Sequence, residues 1–128
     1  MNKFYNPDTM PPPASRYRQV AEIPGGSKLV VLSGQVGMRL DGTVPDDFEG
    51  QAAQAYENIL AGLAAVGMGP ADLVRINSFI TRAADVGKLR TMRERYLDGH
   101  ECASTLLIVA GLASPDWLIE IEAIAAKD

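Results

Sequence analysis

Apolar residues recur along this chain with two rhythms, and the rhythms alone lay out most of its elements. Phe48, Ala52, Ala55, Ile59, Leu63 and Val66 return at spacings of three and four, one stripe of an amphipathic helix. Pro45-Asp46-Asp47 opens that helix with an acidic cap, Gly67 suits its C′ position, and Gly69-Pro70 prevents continuation. A second stripe, Val86, Leu89, Met92 and Tyr96, predicts a helix from Val86 to about Leu97 with Asp85 as its cap. Arg90 and Arg93 fall on the shoulder of this stripe, while Lys88 and Arg95 fall on the far side, where a solvated face is expected.

Elsewhere the period is two. Asp72 to Thr81 alternates Val74, Ile76, Ser78 and Ile80 against Leu73, Arg75, Asn77 and Phe79, as in a strand covered on one side. Lys28 to Ser33 is apolar on both faces, and Ser33-Gly34-Gln35 is expected to break it; Asp41-Gly42 is a turn signal. Two more strands, Ser104 to Leu112 and Leu118 to Ala126, flank the turn Ala113-Ser114-Pro115-Asp116. Near the start, Lys3-Phe4-Tyr5 and Arg18 to Ile23 read as short strands around an extended, proline-bearing loop, Asn6 to Ser15. The order is strands, helix, strand, helix, strand, strand: an α+β fold with both helices packed on one face of a single sheet. The other face keeps apolar groups and needs a cover, most simply another copy of the chain.

Composition narrows the class. A chain of 128 residues, 47% hydrophobic and 22% charged, fits one globular domain spanning residues 1–128. Twelve basic and sixteen acidic residues give a net charge of -4, which disfavours a nucleic-acid partner. The longest strongly apolar run, Leu106 to Ala113, is eight residues against the roughly twenty of a membrane helix, so no membrane partner is expected. The first residues lack the apolar core of a signal peptide, and the single cysteine, Cys102, fits a reducing compartment; a cytoplasmic location is expected.

Candidate chemistry centres on the last strand. Alternation sends Ile119, Ile121 and Ala123 to one face and Glu120 and Glu122 to the other. Two readings are open: an edge strand blunted by charge, or a carboxylate at the rim of a pocket between subunits that handles a proton. His100 and Cys102 lack metal-site spacing and are poorly placed as a nucleophile pair; no metal or cofactor is expected. Arg90 and Arg93 are candidates for an anion clamp.

The landmarks together resemble the RidA (YjgF) reactive-intermediate deaminase family: Ser33-Gly34-Gln35 after a buried strand, Asn58-Ile59-Leu60 with Leu63 and Gly67 in the first helix, and Leu118-Ile119-Glu120-Ile121-Glu122-Ala123-Ile124-Ala125 at the end. Tyr17 stands where the family has a site tyrosine, with Ser15-Arg16 in place of the usual Gly-Pro. The resemblance implies a chorismate-mutase-like fold and a homotrimer with three clefts between subunits. It also implies hydrolysis of small imines or enamines to keto acids and ammonia without metal or cofactor, with Glu120, Tyr17 and Ser33 as catalytic residues. One departure is sharp. Ser104 falls where the family's substrate-carboxylate arginine belongs, Leu106 where a cysteine often follows it, and Arg90 where an asparagine is expected. A serine hydroxyl cannot replace a two-pronged charged contact. The reading is therefore a divergent branch acting on a small anionic metabolite, in which Arg90 or Arg93 replaces the clamp and Ser104 and Gln35 line the cleft. The alternatives are a non-catalytic trimer binding a small ligand or protein partner and, disfavoured by charge, an endoribonuclease.

Overall fold

The structure is a computed structural model and describes all of residues 1–128. Two short strands, β1 (Lys3–Tyr5) and β2 (Val20–Glu22), pair antiparallel as a sheet of their own. The main sheet holds β3 (Lys28–Val36), β4 (Leu73–Ile80), β5 (Ala103–Ile108) and β6 (Ile119–Lys127) in the order β3-β6-β4-β5. Strand β6 runs antiparallel to both β3 and β4, whereas β4 and β5 are parallel. Parallel neighbours need a crossover, and α2 (Val86–Tyr96) supplies it; α1 (Phe48–Ala65) carries the chain from β3 to β4. Both helices lie on one face of this mixed sheet, as the pattern predicts. No helix is long and apolar enough to cross a membrane.

The core sits between helices and sheet. Phe48, Ala52, Ala55, Tyr56, Ile59 and Leu63 of α1 and Leu89 of α2 pack onto Ile76 and Ile80 of β4 and Ile119, Ile121, Ala123 and Ala125 of β6. Each large apolar side chain so buried contributes about 1.5–3 kcal/mol. Asp47 caps α1, its carboxylate accepting from the Gly50 amide at 3.2 Å. Gln51, which the apolar stripe does not announce, is also buried. Its Nε2 donates to the carbonyls of Pro45 (2.8 Å) and Asp116 (3.0 Å), and its Oε1 accepts from the Leu118 amide at 2.8 Å. This one side chain ties the start of α1 to the turn before β6.

Four expectations are corrected. Strand β3 is not broken at Ser33: it continues to Val36 across a bulge between Leu32 and Gln35, because the extra residue is absorbed locally while pairing with β6 resumes. Strand β5 ends at Ile108 rather than Leu112. Asp85 holds the N-cap position of α2, but its side chain makes no cap bond; its carboxylate is buried and taken by Arg82 at 2.8 Å. Lys88 is exposed, as expected of a solvated face, and there bridges to Glu49 on α1 at 2.9 Å. The remaining point concerns Glu120 and Glu122: β6 is an interior strand, so they do not blunt an edge.

Candidate functional site

Glu120 lies on the helix-free face of β6, in register with Val36 of β3 and Phe79 of β4. Its side chain leans over the β3 bulge. A Cβ on Gly34 would come within 2.1 Å of Glu120 Oε2, so the carboxylate occupies the space that glycine leaves open. Ser33, exposed, is the neighbouring residue of the bulge. Asn58 of α1 secures the end of β3, its Nδ2 donating to the carbonyls of Val36 (3.3 Å) and Met38 (2.9 Å). Gln35 is in register with Ile121, on the helix side, where it lines a groove with Asn58 and Ala61. The seam between β3 and β6 thus brings Ser33, Gly34 and Glu120 together and turns Gln35 the other way.

The other candidates gather at the opposite edge of the sheet. The Arg18 amide donates to the Cys102 carbonyl at 3.0 Å, and Arg18 bridges to Ala103, which lays the segment after the proline loop alongside β5. Tyr17 and Ser104 therefore share this edge, and Ser104, in register with buried Ile76, faces the helices. Beside them a pocket of about 160 Å³ is lined by Ser15, Arg16, Arg90, Arg93, Glu94, Gly99, His100 and Glu101. Arg16 pairs with Glu94 and, at 2.9 Å, with Glu101; Arg18 reaches the other oxygen of Glu101 at 3.2 Å. Arg93 Nη2 donates to Ser15 Oγ (3.5 Å) and the Arg16 carbonyl (3.3 Å). Sequence reasoning missed Ser15, Arg16, Glu94 and Glu101 as wall residues. The available signal was Ser15-Arg16-Tyr17-Arg18, a basic segment whose acidic counterparts lie in the last turn of α2 and just after it.

Two side chains left open by the sequence resolve here. His100 Nε2 lies 2.9 Å from the Leu73 carbonyl, an acceptor, and so carries the proton; Phe4 packs edge-on against the ring at 5.2 Å. Cys102 is buried, and burial pushes its thiol up to about 11 despite the opposing charges of Arg93 and Arg75. It is a protonated thiol at neutral pH and no nucleophile. No group of three or more His, Cys, Asp or Glu side chains is arranged to hold a metal ion.

The helix-free face carries its own polar row. Arg75 Nη2 donates to Thr105 Oγ1 at 2.8 Å, Asn77 Nδ2 donates to Glu122 Oε1 at 3.1 Å, and Asn77 Oδ1 is buried without a partner. Around it Leu29, Val31 and Leu107 are 59%, 71% and 48% exposed. These side chains make the helix-free face an exposed apolar surface.

Comparison with known proteins converges on one family. The family described as endoribonuclease L-PSP matches residues 8–127. Among curated relatives, the RutC family protein YjgH of Escherichia coli is 43% identical over 67 residues, 52% of this chain and only 50% of that protein. The 2-iminobutanoate/2-iminopropanoate deaminase of Escherichia coli is 28% identical over 131 residues, covering 99% of each chain. Among solved structures, the Rid-family protein YyfB of Yersinia pestis superposes with a TM-score of 0.88 at 28% identity, over 98% of both chains. Escherichia coli TdcF, solved with bound serine, gives 0.71 at 27% identity over 98% of this chain and 99% of that one.

Proposed function

Because the chain belongs to the RidA (YjgF) family, we propose that it hydrolyses a small, anionic imine or enamine to the corresponding carbonyl compound and ammonia, in clefts between the subunits of a homotrimer. One observation carries this reading: the candidate residues form two groups that one protomer keeps apart. Glu120 reaches out over β3, whereas Tyr17, Ser104, Arg90 and Arg93 cluster at β5 and α2. Glu120 stands on the helix-free face of β6, two strand spacings or about 10 Å from β5, whereas Ser104 faces the helices, so one small metabolite does not meet both within a protomer. A cyclic, head-to-tail assembly that sets the β3 edge of one subunit against the β5 edge of the next joins the halves into complete sites and covers the apolar face.

In such a site the edge half binds and the seam half reacts. Arg90 and Arg93 supply the charged contacts that Ser104 cannot, and Tyr17 and Ser104 shape the walls; Gln35, turned to the helix side, takes no part. Glu120 accepts a proton from water as the water oxygen adds to the imine carbon; Ser33 helps hold that water. The same proton passes to nitrogen, giving a carbinolamine; Glu120 then carries the carbinol hydroxyl proton to that nitrogen, the C–N bond breaks, and ammonia leaves as the carbonyl forms. The balance is one imine and one water to one carbonyl compound and one ammonia, with no oxidant or metal required.

The test is subunit complementation. Imines are generated in situ by an amino-acid oxidase, and their loss is followed against trapping by semicarbazide. Glu120→Gln and a Tyr17→Ala/Arg90→Gln double variant are each expected to be inactive. Unfolded together, mixed one to one and refolded, they should recover about a quarter of wild-type turnover, since a site needs its seam from one variant and its edge from the other. Wild-type protein that fails to accelerate imine loss sinks the deaminase reading. Inactive parents that give no recovery in proven mixed trimers place both halves in one subunit.

A further inference from the structure

The pocket beside α2 holds more positive charge than its own chain neutralises. Both of its carboxylates, Glu94 and Glu101, are taken by Arg16 and Arg18. Three guanidiniums, Arg16, Arg90 and Arg93, and these two carboxylates line the pocket, and Arg18 takes the second oxygen of Glu101 from beside it, so Arg90 and Arg93 are left without a carboxylate partner. Arg90 is exposed and forms no ion pair. Arg93 is half-buried, and its bonds to Ser15 Oγ and the Arg16 carbonyl, at 3.5 and 3.3 Å, come from one nitrogen of a group with five N–H donors. Three residues apart on α2, the two heads share one helix surface and line the same cavity. His100 adds no free donor at Nε2, which is committed to the Leu73 carbonyl.

Two uncompensated cations are tolerable on an open surface, where water and salt screen them. In a closed cleft they are not, because a desolvated charge needs a counter-charge. One carboxylate, the minimum that an imino acid brings, balances only one of them. We propose that this pocket takes a small dianion, and that the substrate is an imine or enamine acid bearing a second acidic group, a carboxylate or a phosphate. Arg93, already oriented by Ser15 and the Arg16 carbonyl, holds one anionic group; Arg90, free to move, reads the other. This inference rests on the pocket being the binding half of the cleft proposed above.

Stable keto acids test it without turnover. Calorimetric titration at fixed ionic strength would compare 2-oxobutanoate, 2-oxoglutarate and the phosphonate isostere of 2-oxoglutarate. At least one of the doubly acidic compounds should bind about tenfold or more tightly than 2-oxobutanoate, and Arg90→Gln should erase that preference. Which of the two binds more tightly assigns the second group. Equal affinities for all three, or a preference that survives both Arg90→Gln and Arg93→Lys in folded protein, would overturn the proposal. The imine assay separates the two claims. A charge preference without imine hydrolysis leaves the dianion pocket standing and removes the deaminase. Hydrolysis of singly charged imines with no charge preference does the reverse.

Discussion

The seam between β3 and β6 and the edge formed by β5 and α2 are built on different principles. At the seam the position of Glu120 depends on backbone: a bulge, a glycine whose missing side chain makes room for the carboxylate, and an asparagine holding two carbonyls of the turning strand. At the edge the pocket depends on long, mostly exposed side chains that pair with one another across loop and helix. Backbone geometry tolerates few substitutes, whereas charged side chains can be exchanged between neighbouring elements as long as the sum of charge in the pocket is kept. The difference teaches which half of the site is open to change. In the proposed site Glu120 and Ser33 form the reacting half, while β5 offers Ser104 and α2 offers two guanidiniums without a carboxylate partner.

Substitutions at the two regions should therefore differ in kind as well as size. The largest effect is expected at the seam. Glu120→Gln should lower kcat by about 10²–10⁴-fold with the fold intact, the range for removing a positioned proton-transfer group. Gly34→Ala should approach the same loss, because the new methyl meets the movable end of Glu120 and displaces the carboxylate rather than the strand. The double variant should be no worse than Glu120→Gln alone. An additive loss would show that Gly34 acts by some route other than Glu120.

Next in size is Gln51, which anchors the turn leading into β6. Gln51→Leu strands the Leu118 amide and the carbonyls of Pro45 and Asp116, and should cost about 2–3 kcal/mol in urea melts. If Glu120 is positioned by β3 and β6 alone, the folded fraction of that variant keeps its kcat.

Cys102 and Tyr56, both behind the edge pocket, link that region to pH. Burial raises the pKa of each, so the folded state holds protons that the unfolded state releases. The Cys102 contribution is complete below the ordinary thiol value of 9.0 and is lost as pH rises toward about 11, whereas that of Tyr56 begins to fall only above its ordinary value of 10.0 and continues to fall at higher pH. Stability should fall across that window, and Cys102→Ala should flatten the fall by an amount on the order of 1–2 kcal/mol. An unchanged slope would mean that the thiol is not shielded.

The smallest effect is expected at Arg16. Its ion pairs are largely solvent-exposed, so Arg16→Ala should change stability by less than about 1 kcal/mol. Its removal frees Glu94, and leaves Glu101 held by Arg18 alone, to compete for Arg90 and Arg93, so doubly acidic ligands should weaken more than singly acidic ones. Equal weakening of both would make Arg16 a structural strap only.

Much of this molecule was legible before any coordinates. The stripe from Phe48 to Leu63 and the alternation from Leu73 to Ile80 produced the elements they announce, since burial on one face writes a local period into the chain. The landmarks from Ser33 to Ala125 pointed to the family. Gln51 and the Arg16 network were not legible: a polar residue within an apolar stripe, or an arginine in a loop, carries no mark of the partner it meets 65 or 85 positions away. By itself, then, the sequence determined the helices, the alternating strands, the family and the identity of the charged residues. Only the tertiary structure decided that β6 lies inside the sheet, that Glu120 rests over Gly34, and that Arg90 and Arg93 sit on the far edge without carboxylates. Strand order and ion pairing are contests among many distant partners, and a local period holds no information about which partner wins.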